Sequence, residues 1–253
     1  MAAHAVGYEL HLLGAWSLRC DDRSVRLQLR EQRVLAVLGL RGPQSRGALA
    51  GLLWPDSPED RARSNLRTSL VRLRRALGEA IGTGRDDVGL SDAVAVDVTL
   101  VRSVLDMVET EPEEVAAEPV SVLRVLRAPD LLTGWYDDWV LEERDRLRHR
   151  RFRALERLAR VSLAAGRPAD GVGFAEEAVR LEPLLESVVS LHIRALIDDG
   201  DLSAALQEYR RFRDRIRAEL GVGPPRALTE MLLSAKAERS SAPAGLALGR
   251  DSA

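Results

Sequence analysis

The sequence predicts an α+β N-terminal region followed by an all-α, tetratricopeptide-like C-terminal region. Apolar residues alternate as in short strands within 8–27 and again within 85–98, and the residues between these segments carry helical periodicity. Beyond residue 119 we expect almost every segment to be helical. Gly166 and Gly200, which we expect to end helices, lie 34 residues apart. A period of about 34 residues is typical of stacked helical hairpins.

Length and hydropathy fit two domains. The chain has 253 residues, and we expect a first domain at 1–105, a second at 106–239 and a disordered tail at 240–253. No apolar run is long enough to span a membrane, and the N-terminus lacks the basic start and apolar run of a secretory signal. We therefore expect a protein of the cytoplasm that does not contact membranes.

Composition excludes several kinds of chemistry. The chain has one cysteine, Cys20, and four scattered histidines, so we expect neither a disulfide framework nor a metal site. Its 37 basic residues are 36 arginines and a single lysine, Lys236, which does not lie in a Walker A phosphate loop. Since the sequence offers no nucleophile with a base and no metal-ligand spacing, we expect no cofactor and no enzymatic activity.

Capping residues and periodicity define the N-terminal elements. The expected elements are strands within 8–27, helices at about 31–40, 45–54 and 58–77, and a strand hairpin within 85–98. Ser45 is a good N-cap for the second helix, and Ser57 with Asp60 matches a capping box for the third. Gly78 follows the end of the third helix, and Ser91-Asp92 is the expected turn of the hairpin.

The C-terminal half begins after an acidic stretch. Residues 106–119 contain six acids, two prolines and no basic residue, so we expect a loop or domain junction there. A long amphipathic helix is expected from about Asp137 to Ala165, and a last helix from about Arg226 to Glu238. Gly171 stands where tetratricopeptide-type repeats prefer alanine, so the match to the repeat is partial.

The third helix is the best candidate for a binding surface. Its apolar residues form one stripe, and it carries six arginines against Glu59 and Asp60. Opposite the stripe lie Arg61, Ser64, Asn65, Thr68, Arg72 and Arg75, with Arg67 and Arg74 on a flank. Arginine pairs with guanine and asparagine with adenine in the major groove, where threonine can contact a thymine methyl group. Two shorter helices before this helix and a hairpin after it indicate a winged helix–turn–helix.

Several short stretches of the sequence resemble a known protein family. The N-terminal strings, which resemble an OmpR-type winged helix, are His11–Gly14, Arg30–Leu38, Leu52–Pro55 and Asn65–Gly78. The C-terminal strings, which resemble a bacterial transcriptional activation domain, are Leu132–Val140 and Glu219–Pro224. In this order they are similar to the Streptomyces antibiotic regulatory proteins, over roughly residues 8–238.

The resemblance implies a function and partners. Family members activate secondary-metabolite gene clusters, bind promoter direct repeats as a head-to-tail pair, and recruit RNA polymerase holoenzyme. It implies a chain that binds DNA in the cytoplasm at the nucleoid, at least as a homodimer on DNA. The DNA-reading residues it implies are Arg61, Asn65, Thr68, Arg72 and Arg75, with phosphate contacts from Arg67 and Arg74. Ser64 is expected to contact DNA because it lies on the same side of the helix. Arg85 is a weaker candidate in the wing, and the acidic turn at Asp92 argues against wing contact with DNA.

Other interpretations of the sequence stay open. The chain is alternatively a helical protein-interaction scaffold without specific DNA binding. A second alternative is that Glu142, Glu143 and Asp145 provide paired catalytic carboxylates, but an arginine near each of them favours a salt-bridged helix surface. The aromatic residues Trp135, Tyr136 and Trp139 favour anchoring of a helix start over a ligand platform.

Overall fold

The computed structural model describes residues 7–21, 23–84 and 86–241. The chain divides into two compact units that are not continuous in sequence. Unit 1 comprises Met1–Leu105 with Val125–His149, and unit 2 comprises Asp106–Arg124 with Arg150–Ala253. Residues 125–149 thus cluster with unit 1, whereas the sequence-based division at 105 and 106 assigned them to the helical domain. The domain boundaries and the tail at 240–253 stay predictions.

Unit 1 opens with a four-stranded sheet. Its strands are β1 (Tyr8–His11), β2 (Ser17–Cys20), β3 (Arg23–Ser24) and β7 (Val94–Val96). They lie in the order β3-β2-β1-β7, with β1 antiparallel to β2 and parallel to β7. Leu10 and Leu18 face each other in this register and are both buried, which confirms the alternation predicted for the N-terminal strands.

Three helices pack against one another in unit 1. They are α1 (Leu29–Arg41), α2 (Arg46–Leu53) and α3 (Glu59–Leu77), close to the bounds expected from the sequence. α1 buries Val34, Leu35 and Leu38, and Gly39 lets it approach the sheet closely. A Cβ atom at Gly39 would lie 3.1 Å from side-chain atoms of Leu10.

The predicted caps are confirmed in part. The Ser45 hydroxyl accepts a hydrogen bond from the Ala48 amide at 3.2 Å, as expected of an N-cap. Gly78 ends α3 with a φ of 59°, which is the left-handed region that glycine adopts without strain. The capping box at Ser57 is wrong: Pro58 holds the N-cap position and α3 starts without a side-chain capping bond.

A second, three-stranded sheet corrects the predicted hairpin. It contains β4 (Gln44–Ser45), β5 (Ile81–Thr83) and β6 (Asp87–Leu90), in the order β4-β6-β5. The hairpin is therefore formed by β5 and β6, and the prediction of a hairpin turn at Ser91-Asp92 is wrong. β6 and β7 lie in different sheets, since β7 pairs with β1. The three residues of β5 include Gly82, which leaves no alternating pattern to detect.

The acidic stretch is helical rather than a loop. The helices across it are α4 (Val98–Thr110), α5 (Pro112–Ala116) and α6 (Pro119–Leu126). Pro112 and Pro119 begin helices, because proline is tolerated in the first turn, where its missing N–H costs nothing. Arg150 donates to Asp106 at 2.7 Å and to Glu109 at 2.8 Å, and these bonds raise the pKa of its guanidinium. The change of unit at residues 105 and 106 nevertheless coincides with the start of this stretch.

The segment before the long helix is fixed within unit 1. Leu131 forms an isolated bridge with Leu13, and the long helix α7 begins shortly afterwards (Asp138–Ala164). The Arg144 guanidinium donates to the carbonyl oxygens of Leu131, Leu132 and Trp135 at 2.9, 2.9 and 3.2 Å. Leu132 has a φ of 47°, so these bonds hold a strained turn.

Unit 2 continues as a run of packed helices. These are α8 (Pro168–Leu181), α9 (Glu186–Asp198), α10 (Leu202–Leu220) and α11 (Arg226–Ser241), each packed against the next. Gly166 and Gly200 end α7 and α9 with φ values of 68° and 84°, which confirms the predicted helix ends. A Cβ atom at Gly171 would lie 3.1 Å from Leu163, which explains why glycine replaces the alanine expected of the repeat.

Three side chains of rare types lie in contrasting environments. His192 on α9 is buried, and burial lowers the pKa of its imidazole despite the nearby Glu208. Cys20 is half-buried at the end of β2, and Lys236 is exposed on α11.

Within the described residues, no helix is both long enough and apolar enough to cross a bilayer.

Candidate nucleic-acid interface

α3 has one buried side and one exposed, cationic side. The buried side consists of Ala62, Leu66, Ser69, Leu70, Leu73 and Leu77. Its apolar members recur at steps of three and four residues, which is why this sequence folds as a helix lying on a core. The predicted reading residues Arg61, Ser64, Thr68, Arg72 and Arg75 are exposed, and Asn65 is half-buried. The structure therefore brings the predicted set together along one helix.

Three arginines on α3 are available to an external acceptor. Arg61, Arg67 and Arg75 are exposed, and none forms a hydrogen bond or an ion pair with another residue of the described chain. Arginine is always charged and offers a planar set of donors that matches guanine or phosphate. The guanidinium N–H groups of these arginines therefore have no acceptor within the described chain, and they donate to solvent or to a ligand.

Other members of the predicted set are engaged within the protein. The Thr68 hydroxyl donates to the Ser64 carbonyl oxygen at 3.0 Å, one turn earlier on α3. Arg72 donates to Gln28 Oε1 at 2.7 Å and lies 3.7 Å from Glu31 Oε1. The Thr68 hydroxyl thus has an acceptor already, which leaves its methyl group, beside the 54% exposed Val71, as the part suited to an external contact.

A groove beside α3 contains arginines that sequence reasoning did not select. It has a volume of about 520 Å³ and runs between the start of α2 and α3, with an apolar floor at Leu66, Leu70 and Val71. The arginines that line it are Arg46, Arg63, Arg67 and Arg74. Arg46 is the first residue of α2 after the N-cap Ser45, so its position next to an exposed helix start was the signal available in the sequence.

Acidic residues are few around the groove. Glu59 pairs with Arg63 one turn away, and Asp86 of the β5–β6 loop lines the groove at its edge. The acids of α3 lie in its first turn, where they favour the helix dipole and leave the later turns cationic. This arrangement favours an anionic ligand along the middle and end of α3. Arg85, the predicted wing residue, lies outside the described residues.

Several of the carboxylates and aromatic residues that were considered as alternative sites have structural roles in unit 1. Glu143 is buried and accepts from Arg41 at 2.9 Å and from Arg146 at 3.0 Å, so it belongs to an ion-pair network inside unit 1. Trp139 is buried and meets Trp135 edge to face, with ring centroids 6.4 Å apart, as expected of residues that anchor a helix start. Tyr136 is 79% exposed and takes no part in that contact.

Comparison with known proteins identifies the family. The family model described as bacterial transcriptional activator domain matches residues 99–233, just over half of the chain. The chain belongs to the bacterial transcriptional activator domain family. Its members are transcriptional regulators rather than a class of enzymes, and the resemblance to the Streptomyces antibiotic regulatory proteins is confirmed.

Individual proteins are also similar to this chain, as two examples show. The regulatory protein AfsR of Streptomyces griseus is 28% identical over 221 residues, which cover 80% of this chain. This chain spans 22% of the length of that regulator. The solved structure of Mycobacterium tuberculosis EmbR in complex with a low affinity phosphopeptide matches with a TM-score of 0.65 and 22% identity, over 93% of this chain and 69% of that one. The second likeness establishes a shared fold.

Proposed function

We propose that this chain is a sequence-specific DNA-binding transcriptional activator whose recognition helix is α3. In this proposal unit 1 contains an OmpR-type winged helix–turn–helix and unit 2 is tetratricopeptide-like. The observation that carries the proposal is the exposed side of α3, where Arg61, Arg67 and Arg75 have no partner among the described residues. Membership of a family of transcriptional activators supports the same conclusion.

The geometry of α3 suits a major groove. With 19 residues the helix is about 28 Å long, and a major groove about 12 Å wide admits a helix of this diameter. Arg61 and Arg75 present donors to guanine, and Asn65 presents a donor and an acceptor to adenine. The Thr68 methyl group meets a thymine methyl, and Ser64 is short enough to let α3 approach the bases.

In this proposal, contacts with the DNA phosphate backbone fix the register of α3 on the duplex. Arg67 and Arg74 line the groove beside α3, together with Arg46 and Arg63. Phosphate oxygens along one strand provide acceptors for such a row of guanidinium groups. We assign the β5–β6 hairpin as the wing, and we propose that Arg85, which lies between these two strands in the sequence, contacts the DNA backbone next to the groove that α3 enters.

The partners follow from the family. We propose that the chain binds promoter direct repeats as a homodimer, recruits RNA polymerase holoenzyme, and acts at the nucleoid in the cytoplasm. Its target is proposed to be an antibiotic or other secondary-metabolite gene cluster. These steps rest on membership of the activator family and on the similarity to the AfsR regulator.

A selection from random DNA tests the DNA-binding step and identifies the operator at the same time. The full chain is incubated with random 30-base-pair duplexes, the bound fraction is sequenced, and affinity for the selected motif is measured at several salt concentrations. We expect a defined motif, and a logarithm of affinity that falls linearly with the logarithm of salt, with a slope of about −0.9 for each phosphate contacted. A chain that selects no motif and shows no salt dependence is instead the helical interaction scaffold.

A further inference from the structure

Arg72 differs from Arg61, Arg67 and Arg75 because the protein itself supplies its acceptors. Its Nη1 atom donates to Gln28 Oε1 at 2.7 Å and lies 3.7 Å from Glu31 Oε1. Both acceptors belong to the start of α1, 44 and 41 residues earlier in the chain. The side chain is 47% exposed, so it lies at the surface while bound to another helix.

Gln28 is placed for this contact rather than for capping. It occupies the N-cap position of α1, but its side chain makes no capping hydrogen bond. Serine, threonine, aspartate and asparagine are the residues that cap helices well, and glutamine is not among them. The Gln28 amide oxygen accepts from Arg72 instead.

The buried carboxylate of Glu31 also favours the position of Arg72 beside α1. Glu31 is 2% exposed, and its Oε1 atom is buried without a hydrogen-bond donor among the described residues. The nearest cations are Arg30 Nε at 3.9 Å and Arg72 Nη1 at 3.7 Å. A buried carboxylate is costly unless cations lie close to it, so removing Arg72 leaves Glu31 with less compensation.

Polar contacts of this kind fix an orientation that apolar packing leaves loose. The buried stripe of α3 packs through apolar side chains, whose attraction depends on the area buried and has no direction. A charge-assisted hydrogen bond requires a particular distance and angle. The bond from Arg72 to Gln28 therefore adds a directional contact between α3 and the start of α1.

We propose that Arg72 is a positioning residue, which locks α3 to α1 through Gln28 and Glu31 and so aims the other side chains of α3 at their bases. The inference rests on the proposed DNA-binding function and refines it, since it removes Arg72 from the base-reading set. Sequence selectivity then depends on Gln28 and Glu31, although neither lies on α3.

The test compares the motifs that variants of the full chain select from random 30-base-pair duplexes. Arg72→Ala and Gln28→Ala are each expected to lower the information at all positions of the motif. They are also expected to reduce the preference for the motif over a shuffled duplex by on the order of tenfold. Because both remove the same contact, the double variant is expected to select no worse than the worse single variant. Glu31→Gln is expected to act in the same direction.

Matched variants separate positioning from base reading. Arg75→Ala is expected to lose information at one or two adjacent positions only, and Lys236→Ala on α11 is expected to change nothing. Gln28→Glu keeps an acceptor for Arg72 at a helix start, so it is expected to retain the motif even if total affinity falls. Circular dichroism checks that each variant is folded, and the exposed Gln28 provides a variant that keeps the core intact.

Two results overturn the inference in different ways. If Arg72→Ala erases one or two positions while Gln28→Ala leaves the motif intact, Arg72 reads bases and the positioning role is wrong. The same conclusion follows if neither variant changes the motif. If the wild-type chain selects no motif, the proposed DNA-binding function fails, and the inference fails with it.

Discussion

Neighbouring arginines on α3 are expected to respond differently to substitution. Arg61 lies among the predicted base readers, so Arg61→Ala should cost about 1–3 kcal/mol on the selected motif and relax specificity at one position. Arg67 lines the groove and is assigned to phosphate, so Arg67→Ala should weaken binding to all duplexes alike and lower the salt slope by about one. Fluorescence anisotropy titrations at three salt concentrations measure both effects.

Lys236→Ala is the matched control for these two variants. It also removes one exposed positive charge, but from α11 in unit 2. Equal losses in all three variants would mean that net charge alone drives binding, which contradicts the assignment of α3 as the recognition helix.

His192 is expected to make unit 2 less stable in mild acid. Burial lowers the pKa of its imidazole in the folded state, so the unfolded chain binds a proton more readily. Stability is then fully present above the unfolded value of about 6.5 and is lost as the pH falls through the folded pKa. Urea unfolding of the full chain at pH 7.5 and pH 5.5 should show a lower midpoint at pH 5.5.

The His192→Gln variant should flatten that dependence, because glutamine does not titrate. His149→Gln is a suitable control, since His149 is exposed on α7. If the wild type and His192→Gln lose the same stability between the two pH values, the acid sensitivity has another source.

Among the elements, the turn before α7 depends on one side chain. Arg144 donates three hydrogen bonds to the carbonyl oxygens of Leu131, Leu132 and Trp135, and Leu132 has a positive φ. Arg144→Ala is expected to lower the free energy of unfolding of unit 1 by about 2 kcal/mol, because these acceptors lose a charged donor. Thermal denaturation followed by circular dichroism measures the change.

Asp145→Ala provides the comparison on the next residue of α7. Asp145 is exposed and has no hydrogen-bond or ion-pair partner within the described part of the chain. A loss of stability in Asp145→Ala as large as in Arg144→Ala would indicate that α7 itself, rather than the turn, is sensitive to substitution.

The sequence predicted elements wherever local signals agreed. The bounds of α1, α2 and α3 followed from apolar periodicity together with Ser45 and Gly78, and the exposed side of α3 followed from the same periodicity. The capping box at Ser57 was wrong because Pro58 takes the N-cap position, a difference of one residue that the pattern does not resolve.

Features that depend on distant residues were not predictable in the same way. The pairing of β7 with β1 joins residues more than 80 positions apart, so the strand pattern alone suggested a local hairpin with β6. The contact of Arg72 with Gln28 likewise depends on how α1 and α3 pack. Arg46 was missed because a single arginine at a helix start has no distinctive spacing, and only the groove shows its neighbours.

Across the whole molecule, unit 1 depends on residues from the middle of the chain. Arg41 pairs with the buried Glu143, and Arg33 pairs with Asp137 at 2.6 Å. A fragment of residues 1–105 lacks these partners and the buried side chains around them, so we expect it to be less stable than a fragment of residues 1–149 by on the order of 5 kcal/mol. Chemical denaturation of the two fragments measures the difference.

A 1–105 fragment that unfolds at the same denaturant concentration as 1–149 would contradict the division of the chain into these two units. It would instead support the domain boundary at residue 105 that the sequence predicted. The comparison of the two fragments therefore also tests that boundary.

The chain has a single cysteine and a single lysine, which allows each unit to be labelled at one side chain. The single thiol, Cys20, is half-buried at the end of β2 in unit 1, and the single lysine, Lys236, is exposed on α11 in unit 2. A maleimide dye and an amine-reactive dye therefore label one side chain in each unit, with the terminal amine blocked or labelled separately. Energy transfer between this donor and acceptor reports the separation of the units in solution, with and without promoter DNA, and requires no engineered cysteine.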